Sequence, residues 1–522
     1  MNLNSAILLL FVLSLAAAGC GTAPGVEGPG GAPPCDGPST CASDPVPESV
    51  CLEHLAAGRA MDGCGVFVLN PFFGGDDANP GTKDRPVRSI RRAIELARTG
   101  RGRVILTDEP FDETVLLPSG VDIYGGFETA IGWERPTDPE DPVYTMAKLT
   151  PVDVGLIALT VEPARAGDTG AADGVSIIDH VAVRSTTHVG MVVRSGTAVE
   201  IVGSWIRSLP GLRGRHGEKW PGRAASGPDG QYGEDACSAA MVPGGAPPVN
   251  SCEGGIPSVG GKGGDGLPDG AEDGADGEPV PQPNPHYDGE GGRGNRADGG
   301  CSNGVAGISG MWGAVGAAGK GRGRIDETGW HGDWAGDGAR GMPGQGGGGG
   351  GGRRGGLAVC GVASKGGAGG GSGGAGGCGG RGGRGGENGQ PSIGILALHA
   401  KVTVRDSIIT SYDGGPGGDG GEPERGGKGG WGMPGGAVGD GTWSCKGGSG
   451  GLGGDGGYGG PGRGGDSIGI AYLDEDQLTL EGITFELGLQ GPGGTSWEWT
   501  GDVITGEDGI AVETLRFPEE LD

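Results

Sequence analysis

The sequence predicts an all-β fold in which a parallel solenoid is interrupted by long glycine-rich insertions. Three observations lead to this expectation. Between residues 104 and 201, short β-rich runs follow one another, with turns of Gly, Asp, Ser or Pro between them and no helix-length pattern. A unit of about twenty residues then recurs along the chain. In three further stretches, a residue other than glycine occupies every third position.

The N-terminal end has the pattern of an exported protein. An apolar run over residues 7–18 is too short to span a membrane and is typical of a signal-peptide core. The run Ala17-Ala18-Gly19-Cys20 resembles a bacterial lipoprotein cleavage site, which implies that Cys20 carries the lipid. Gly21 follows it, and by the same resemblance this implies anchoring in the outer membrane or at the cell surface. The alternative is a cleaved secretory peptide and a secreted protein.

Cysteine usage fits the same compartment. Beyond Cys20 the chain has ten cysteines, an even number, and no two of them have the Cys-x-x-Cys spacing of a zinc site. We therefore expect disulfides, which an oxidising compartment permits and which stabilise most where they close long loops. Their pairing is left open. The candidates are Cys35, Cys41, Cys51, Cys64, Cys237, Cys252, Cys301, Cys360, Cys378 and Cys445.

A short helix is predicted to cap the solenoid. Val87, Ile90, Ala93, Ile94 and Ala97 recur at helical spacing, with charged residues on the opposite side. Such a helix would cover the first coil and protect its open edge from pairing with another chain.

The repeated unit predicts the solenoid itself. It begins at Gly190, Gly394 and Gly469, and its length is that of one coil of a parallel β-helix. Alternate apolar residues would point into the coil and stack on the same position in the next coil. Each unit runs into a glycine-rich tract, so the tracts leave successive coils at the same corner, about one strand spacing apart. The tracts begin at Leu209, Tyr412 and Gly488.

This organisation divides the chain into coils that alternate with insertions, after an exported N-terminal segment. The predicted parts are a signal peptide (1–19), a lipid-anchor linker with a Cys-rich segment (20–63), the first part of the β-helix (64–207), a glycine-rich insertion (208–391), one coil (392–411), a second glycine-rich insertion (412–466), and the last coils with the C-terminal end (467–522).

The insertions have a period of three residues. Residues other than glycine stand at every third position over 372–387, 413–431 and 446–461, with one interruption in the second stretch. This is the period of polyproline II-class helices, and glycine on two of three edges lets such polyglycine II-like helices pack closely. The alternative is a set of solvated, flexible loops, which the composition of 129 Gly and 37 Pro also suits.

Two segments carry a resemblance to a known fold family. The runs from Asp77 to Thr82 and from Val121 to Phe127 resemble the N-terminal cap and first coils of right-handed, pectate-lyase-like β-helix proteins. The glycine tracts are similar to those of myxobacterial lipoproteins of the glycine-rich PGRS type. The resemblance implies a right-handed parallel β-helix over about 64–207, 392–411 and 467–517.

The net charge and the distribution of carboxylates argue against nucleic-acid binding and against catalysis. A net charge of −28 argues against nucleic acid, which is bound through Lys and Arg. A hydrolase on this fold needs carboxylates grouped on neighbouring coils. Asp76-Asp77 lies in the cap turn, Arg405-Asp406 in a coil turn, and the other acids are scattered, so we predict no catalytic residues. The competing hypothesis of an enzyme requires acids near Asp179 and Asp406 to meet in one cleft.

Calcium is the one metal that the sequence brings into question. Residues 450–457 imitate the start of a calcium-binding nonapeptide but lack its bulky apolar residue and its repetition. Asp265, Asp269, Asp273 and Asp276 form an acidic stretch, for which a solvated linker is the competing interpretation. We predict no cofactor and keep calcium as the alternative.

Tryptophans in or beside the glycine tracts are the candidate ligand contacts. Exposed aromatic faces suit sugars or proteins, whereas in the alternative these rings fill gaps between glycine helices and coils. They are Trp330, Trp334, Trp431, Trp443, Trp497 and Trp499. The expected function is that of a non-enzymatic, lipid-anchored surface protein with a structural or adhesive role and with polysaccharide or surface proteins as partners. The alternative is a polysaccharide-binding or polysaccharide-degrading protein.

Overall fold

The computed structural model describes residues 46–136, 145–164, 174–295, 300–439 and 441–518. The predicted signal peptide (1–19), the lipidation candidate Cys20 and the cysteines Cys35 and Cys41 lie outside the described residues. The described part of the chain is mostly β, with little helix. No helix within these ranges is long and apolar enough to cross a bilayer.

Helices are few and short. The α-helices are α1 (Glu48–Ala56), α2 (Ile90–Ala97) and α3 (Leu357–Cys360), and the 3-10 helices are Pro71–Phe73, Thr129–Ile131 and Glu475–Gln477. Helix α2 lies where the apolar spacing predicts a helix. Its N-cap is Ser89, whose hydroxyl accepts a hydrogen bond from the Arg92 amide at 3.2 Å. Its four predicted core residues are buried. Helix α1 has no counterpart in the sequence prediction.

Strands make up the rest of the regular structure. In chain order the first are β1 (Val66–Val68), β2 (Arg103–Thr107), β3 (Pro110–Phe111), β4 (Val115–Pro118), β5 (Asp122–Phe127), β6 (Ala147–Leu149), β7 (Leu159–Glu162), β8 (Val175–Asp179), β9 (Val181–Arg184), β10 (Val189–Val193), β11 (Ala198–Val202) and β12 (Trp205–Arg207). The others are β13 (Val249–Asn250), β14 (Ser258–Val259), β15 (Arg324–Asp326), β16 (Gly329–His331), β17 (Ser392–Ala397), β18 (Lys401–Arg405), β19 (Ile408–Thr410), β20 (Ser467–Tyr472), β21 (Leu478–Glu481), β22 (Thr484–Glu486), β23 (Thr495–Trp497), β24 (Val503–Thr505) and β25 (Ala511–Arg516).

Three parallel sheets contain most of these strands. Their orders are β1-β2-β5-β8-β11-β18-β21, β4-β7-β10-β17-β20-β25 and β3-β6-β9-β12-β19-β22. The chain therefore visits the three sheets in turn and adds one strand to each, which is consistent with an all-β parallel solenoid. Helix α2 packs against β1, β2 and β4 at the N-terminal end. The pairs β13-β14, β15-β16 and β23-β24 are antiparallel hairpins outside these sheets.

Successive units of the repeat stack in register, as the sequence predicts. Val189 pairs with Ile393, Ile393 with Ile468, and Ile468 with Val512. The other two sheets continue through the same units in the same way. The apolar residues that point inward form one continuous buried cluster from Val68 to Ile470. The long insertions therefore leave the stacking of the coils unbroken.

Buried serines mark the corner from which the insertions depart. The Ser208 and Ser392 hydroxyls are 2.8 Å apart, and those of Ser411 and Ser467 are 2.9 Å apart. All four side chains are almost fully buried. A small hydroxyl satisfies buried polar groups at a corner too tight for a larger side chain.

The glycine-rich tracts are hydrogen-bonded to one another with a period of three residues. The amides of Gly371, Gly374 and Gly377 donate to the carbonyls of Cys445, Gly448 and Gly451, at 2.9–3.0 Å, and the series continues to Gly389. Further series of the same period join 366–390 to 211–236, to 335–352 and to 413–437. The tracts are thus packed against each other rather than separately solvated, and this packed set is called the glycine block below.

Glycine content follows the number of neighbours around a tract. Tract 302–319 has glycine at every third position from Gly304 to Gly319, and these amides donate to tract 445–465. Tract 346–352 is all glycine and fully buried, and an added Cβ would overlap a different neighbouring tract at each successive position. Each face of the three-residue repeat that meets backbone must therefore lack a side chain.

Four disulfides tie the described chain together. They are Cys51–Cys64, Cys237–Cys360, Cys252–Cys378 and Cys301–Cys445. The last three join segments of the glycine block that are 123, 126 and 144 residues apart. Disulfides persist in oxidising compartments, so these bonds indicate an extracellular or cell-envelope location.

Gly379 offers a test of the close packing. A Cβ at this position would overlap the Gly341 carbonyl of the next tract. We expect Gly379→Ala to lower the free energy of unfolding by about 3 kcal/mol, because the two backbones must separate. Urea unfolding followed by far-UV circular dichroism measures the change. Gly270→Ala is the matched control, since a Cβ there meets nothing within 4 Å. Equal stability of the two variants would show that the packing tolerates side chains.

Candidate functional site

Asp76 and Asp77, the adjacent acids of the cap turn, accept hydrogen bonds from backbone amides, and those of Asp77 come from the residues just before helix α2. Asp77 Oδ1 accepts hydrogen bonds from the amides of Arg88 and Ser89, at 3.0 and 2.8 Å. Burial alone would raise the pKa of Asp77, but the hydrogen bonds from Ser89 and Arg88 outweigh it and hold the pKa below its ordinary value. Asp76 accepts from the Ala78 amide at 3.0 Å. These contacts assign both carboxylates to the turn.

Glu113 shares a cavity of about 490 Å³ with Asp77 and was not singled out from the sequence. Its Oε1 accepts from the Ile90 amide at 2.9 Å, and its Oε2 accepts from the Arg91 amide at 3.3 Å. Burial raises its pKa. Because its carboxylate satisfies amides of the first turn of α2, Glu113 has a capping role. No local sequence pattern marks it, since its partners lie more than twenty residues earlier.

Asp179 and Asp406 lie at turns of different coils. Asp179 ends β8, and its carboxylate contacts Arg135 Nη1 at 3.0 Å and the ring of His180. Asp406 lies between β18 and β19 with φ +46°. Strand β11 separates β8 from β18, so the backbones of the two turns are about 10 Å apart, two strand spacings. Asp179 is therefore tied to its own partners rather than to Asp406.

The calcium candidates have contacts of their own. Asp265 is buried and pairs with Lys262 at 2.9 Å, and Asp273 and Asp276 accept from the amides of Gly294 and Gly291. Asp455, in the nonapeptide-like segment, accepts from the Gly426 amide at 2.6 Å. Within the described ranges, no three His, Cys, Asp or Glu side chains are grouped as metal ligands.

The six candidate tryptophans fall into different settings. Trp330 packs against a buried hydrophobic cluster. The Trp499 ring contacts those of Trp312 and Tyr458 at tilted angles, with centroid distances of 5.2 and 5.4 Å. These two rings suit the interpretation that aromatics fill gaps. Trp334, Trp431, Trp443 and Trp497 are about half exposed or more.

Of these four exposed rings, Trp334 lines a cavity. The cavity has a volume of about 570 Å³, and its other walls are Glu218, Ala335, Asp337 and Arg384. The residue is 49% exposed, and Arg215 lies over its ring, so a ligand can reach only the part of the indole that Arg215 leaves open. A half-exposed aromatic ring among acids and an arginine is an arrangement that suits a sugar, whose C–H face packs on the ring while its hydroxyls meet the polar groups.

One ion pair lies in the wall of this cavity and another lies beside it. The Arg215 guanidinium lies 4.9 Å from the Trp334 ring centroid, and its Nε donates to Glu387 at 2.8 Å. Arg384 donates to Asp337 at 2.6 Å. The hydrogen bond and the charge of Glu387 raise the pKa of Arg215. These contacts orient the Trp334 ring and the Arg384 side chain.

The three-residue period explains how distant residues meet here. Arg384 and Glu387 belong to one column of non-glycine residues on tract 366–390. The Arg384 amide donates to the Glu218 carbonyl at 3.2 Å, and the Glu387 amide donates to the Arg215 carbonyl at 2.9 Å. The Ala335 amide donates to the neighbouring Gly386 at 2.8 Å. The sequence places Arg384 and Glu387 on one face but does not reveal which tract lies opposite.

Asp179 gives a pH-dependent test of its ion pairs. Burial alone would raise its pKa, but the His180 hydrogen bond and the Arg135 charge lower it overall. A carboxyl whose folded-state pKa is depressed stabilises the protein above its unfolded value of about 3.9, and this stability is lost as the pH falls through the folded value. We expect Asp179→Asn to lower the free energy of unfolding by about 2 kcal/mol at pH 6. The difference should shrink below pH 4.

Urea unfolding at pH 6, 4 and 3 measures this difference. Arg135→Gln removes the cation and keeps the acid. Like Asp179→Asn, it should make the free energy of unfolding depend less on pH than in the wild type. Parallel pH profiles for the wild type and Asp179→Asn would contradict the assignment.

Comparison with known proteins adds no family to these observations. The pectate-lyase-like resemblance therefore stays a prediction carried by the sequence segments that suggest it. No family model, curated protein or solved structure matches this chain.

Proposed function

We propose that the chain is a right-handed parallel β-helix whose insertions form a packed block of polyglycine II-like helices. The order of the three sheets and the stacking of successive units support the coil. The three-residue series of amide hydrogen bonds supports the helical form of the tracts. The likeness to glycine-rich surface lipoproteins of the myxobacterial PGRS type belongs to this proposal.

The function we propose is that of a non-enzymatic cell-surface protein with an adhesive role, which contacts polysaccharide through the Trp334 cavity. The observation that carries it is the half-exposed indole among paired charged residues in a cavity of about 570 Å³. Hydrogen-bonded tracts hold the backbone of these walls, so binding costs little conformational entropy of the protein. The four disulfides support a location where such a ligand is met.

The anchor is proposed to be a lipid on Cys20, with the mature protein held at the outer membrane. The sequence before Cys20 supports this, and the disulfides support export. A lipid-anchored surface protein would present the glycine block and its cavities to material outside the cell.

A glycan-binding assay tests the adhesive role. The full-length protein is incubated with a panel of bacterial and plant polysaccharides, and both retention and the release of shorter chains are followed. We expect retention without release. We also expect Trp334→Ala to weaken the binding of the polysaccharide at least tenfold, because the sugar ring loses the indole surface on which it packs. Trp431→Ala is the matched control, an exposed tryptophan elsewhere in the block.

Two results would count against the adhesive proposal. Release of shorter chains would make the protein an enzyme. Equal retention by Trp334→Ala and Trp431→Ala would place the contact elsewhere.

The anchor has a separate test. In cells that express the full-length protein, we expect it to partition into the detergent phase of a phase-separating detergent, because an acyl chain is buried there. Cys20→Ala should move it to the aqueous phase, and Thr22→Ala, a neighbouring substitution, should leave it with the detergent. Aqueous partitioning of the wild type would indicate a secreted protein instead.

A further inference from the structure

A second cavity, of about 570 Å³, lies where the glycine block meets the last strand β25. Its lining includes five cationic side chains and three acidic ones, in a chain whose net charge is −28. This cavity is referred to below as the basic cavity. The cations are Lys320, Arg322, Arg324, Arg463 and Arg516.

One buried carboxylate positions two of these cations. Arg463 is 5% exposed, and its Nη2 donates to Asp466 Oδ1 at 2.7 Å. Arg322 Nε lies 3.7 Å from the other oxygen of Asp466. Because one negative charge serves two guanidinium groups, this trio keeps a net positive charge.

Two further cations, Arg516 and Lys320, line the cavity, and a neutral acceptor orients the first of them. Arg516 Nε donates to the Leu473 carbonyl at 3.0 Å, which fixes the guanidinium by a neutral acceptor. Among the described residues, neither Arg516 nor Lys320 has an ion pair. Their charges are therefore available to a ligand in the cavity.

Backbone amides already engage two of the acids in the lining. Asp333 Oδ2 accepts from the Gly323 amide at 3.2 Å, and Asp508 Oδ1 accepts from the Gly493 amide at 2.9 Å. Gly323 has φ +77°, a conformation that L side chains rarely adopt, and it lies next to Trp330. The Asp333 contact holds the segment that carries Lys320, Arg322 and Arg324 in place.

An apolar wall completes the basic cavity. Ile510, Phe517 and Pro518 also line it. Beside them, Trp330 donates from Nε1 to the Arg322 carbonyl at 2.9 Å. A single small anion needs far less than 570 Å³ and has no use for apolar contacts. A sugar bearing a carboxylate uses both, since guanidinium groups bind carboxylates with paired hydrogen bonds and ring C–H groups pack on apolar side chains.

We propose that the basic cavity binds a carboxylate-bearing sugar, so that the protein selects acidic polysaccharides. Arg516 and Lys320 bind the carboxylate, and Arg322 and Arg463 maintain the positive field around it. The identification of the ligand as a glycan rests on the proposed adhesive function, whereas the preference for a carboxylate rests on the cavity alone. The basic cavity is a site separate from the one at Trp334, because the two share no lining residue.

Binding of matched oligosaccharides to the full-length protein tests this assignment. The probes are oligogalacturonate and its methyl-ester form of the same length, measured by calorimetry at low and moderate salt. We expect the acidic form to bind at least tenfold more tightly, with the advantage falling as salt rises. The double variant Lys320→Gln with Arg516→Gln should lose about tenfold in affinity for the acidic form only. Lys428→Gln, an exposed lysine elsewhere in the block, is the control.

The outcomes separate this inference from the proposed function. Unchanged affinity in the double variant, with Trp334→Ala defective, overturns the basic cavity and leaves the adhesive role standing. Loss of acidic binding in the double variant, with Trp334→Ala unaffected, supports the basic cavity and removes Trp334 from the function. Equally tight binding of inorganic phosphate overturns the sugar assignment. Arg516→Lys, which keeps the charge, should retain part of the binding and guards against a folding defect in the double variant.

Discussion

Amide hydrogen bonds made every third residue are the interaction on which the glycine block depends. A polyproline II-class helix has no internal hydrogen bonds, so each of its buried amides must find a partner on a neighbouring chain. In tract 366–390 those partners come from several surrounding tracts, at distances near 2.9 Å. A side chain on such a face would push the backbones apart and leave both peptide groups unsatisfied. Glycine at these positions is therefore a steric requirement, and residues at the remaining positions are free to serve the surface.

The solenoid supplies what the block cannot supply by itself, which is a fixed starting position for each tract. Strands β12, β19 and β22 are neighbours in one sheet, and each one ends at the corner from which a glycine tract departs. The stems are thus held one strand spacing apart before the tracts pair. Three disulfides add long-range cross-links within the block, because they join segments more than one hundred residues apart in the sequence. The ordered coil and the cross-links together limit the ways in which near-identical glycine triplets can slip against each other.

The periodic features of the fold could be predicted from the sequence, whereas the contacts between neighbouring tracts could not. The apolar spacing from Val87 to Ala97 predicts α2, and the repeated units predict the register of the coils, because both patterns are local. The sequence analysis did not predict that tract 302–319 belongs to the block, because its surface position needs only one glycine per triplet. The partner of Cys378 and the ring that meets Arg215 depend on which tracts lie side by side. Such contacts arise from the packing of the block and have no short-range signature.

The composition of the block has a consequence for its response to temperature. Most domains bury apolar side chains, whose hydration on unfolding produces a large positive heat-capacity change and a strongly curved stability profile. The all-glycine segment 346–352 buries peptide groups instead, and hydration of polar surface changes the heat capacity in the opposite direction. A structure held together in this way has a flatter dependence of stability on temperature than its size implies. Cooling therefore weakens the block less than it weakens an ordinary hydrophobic core.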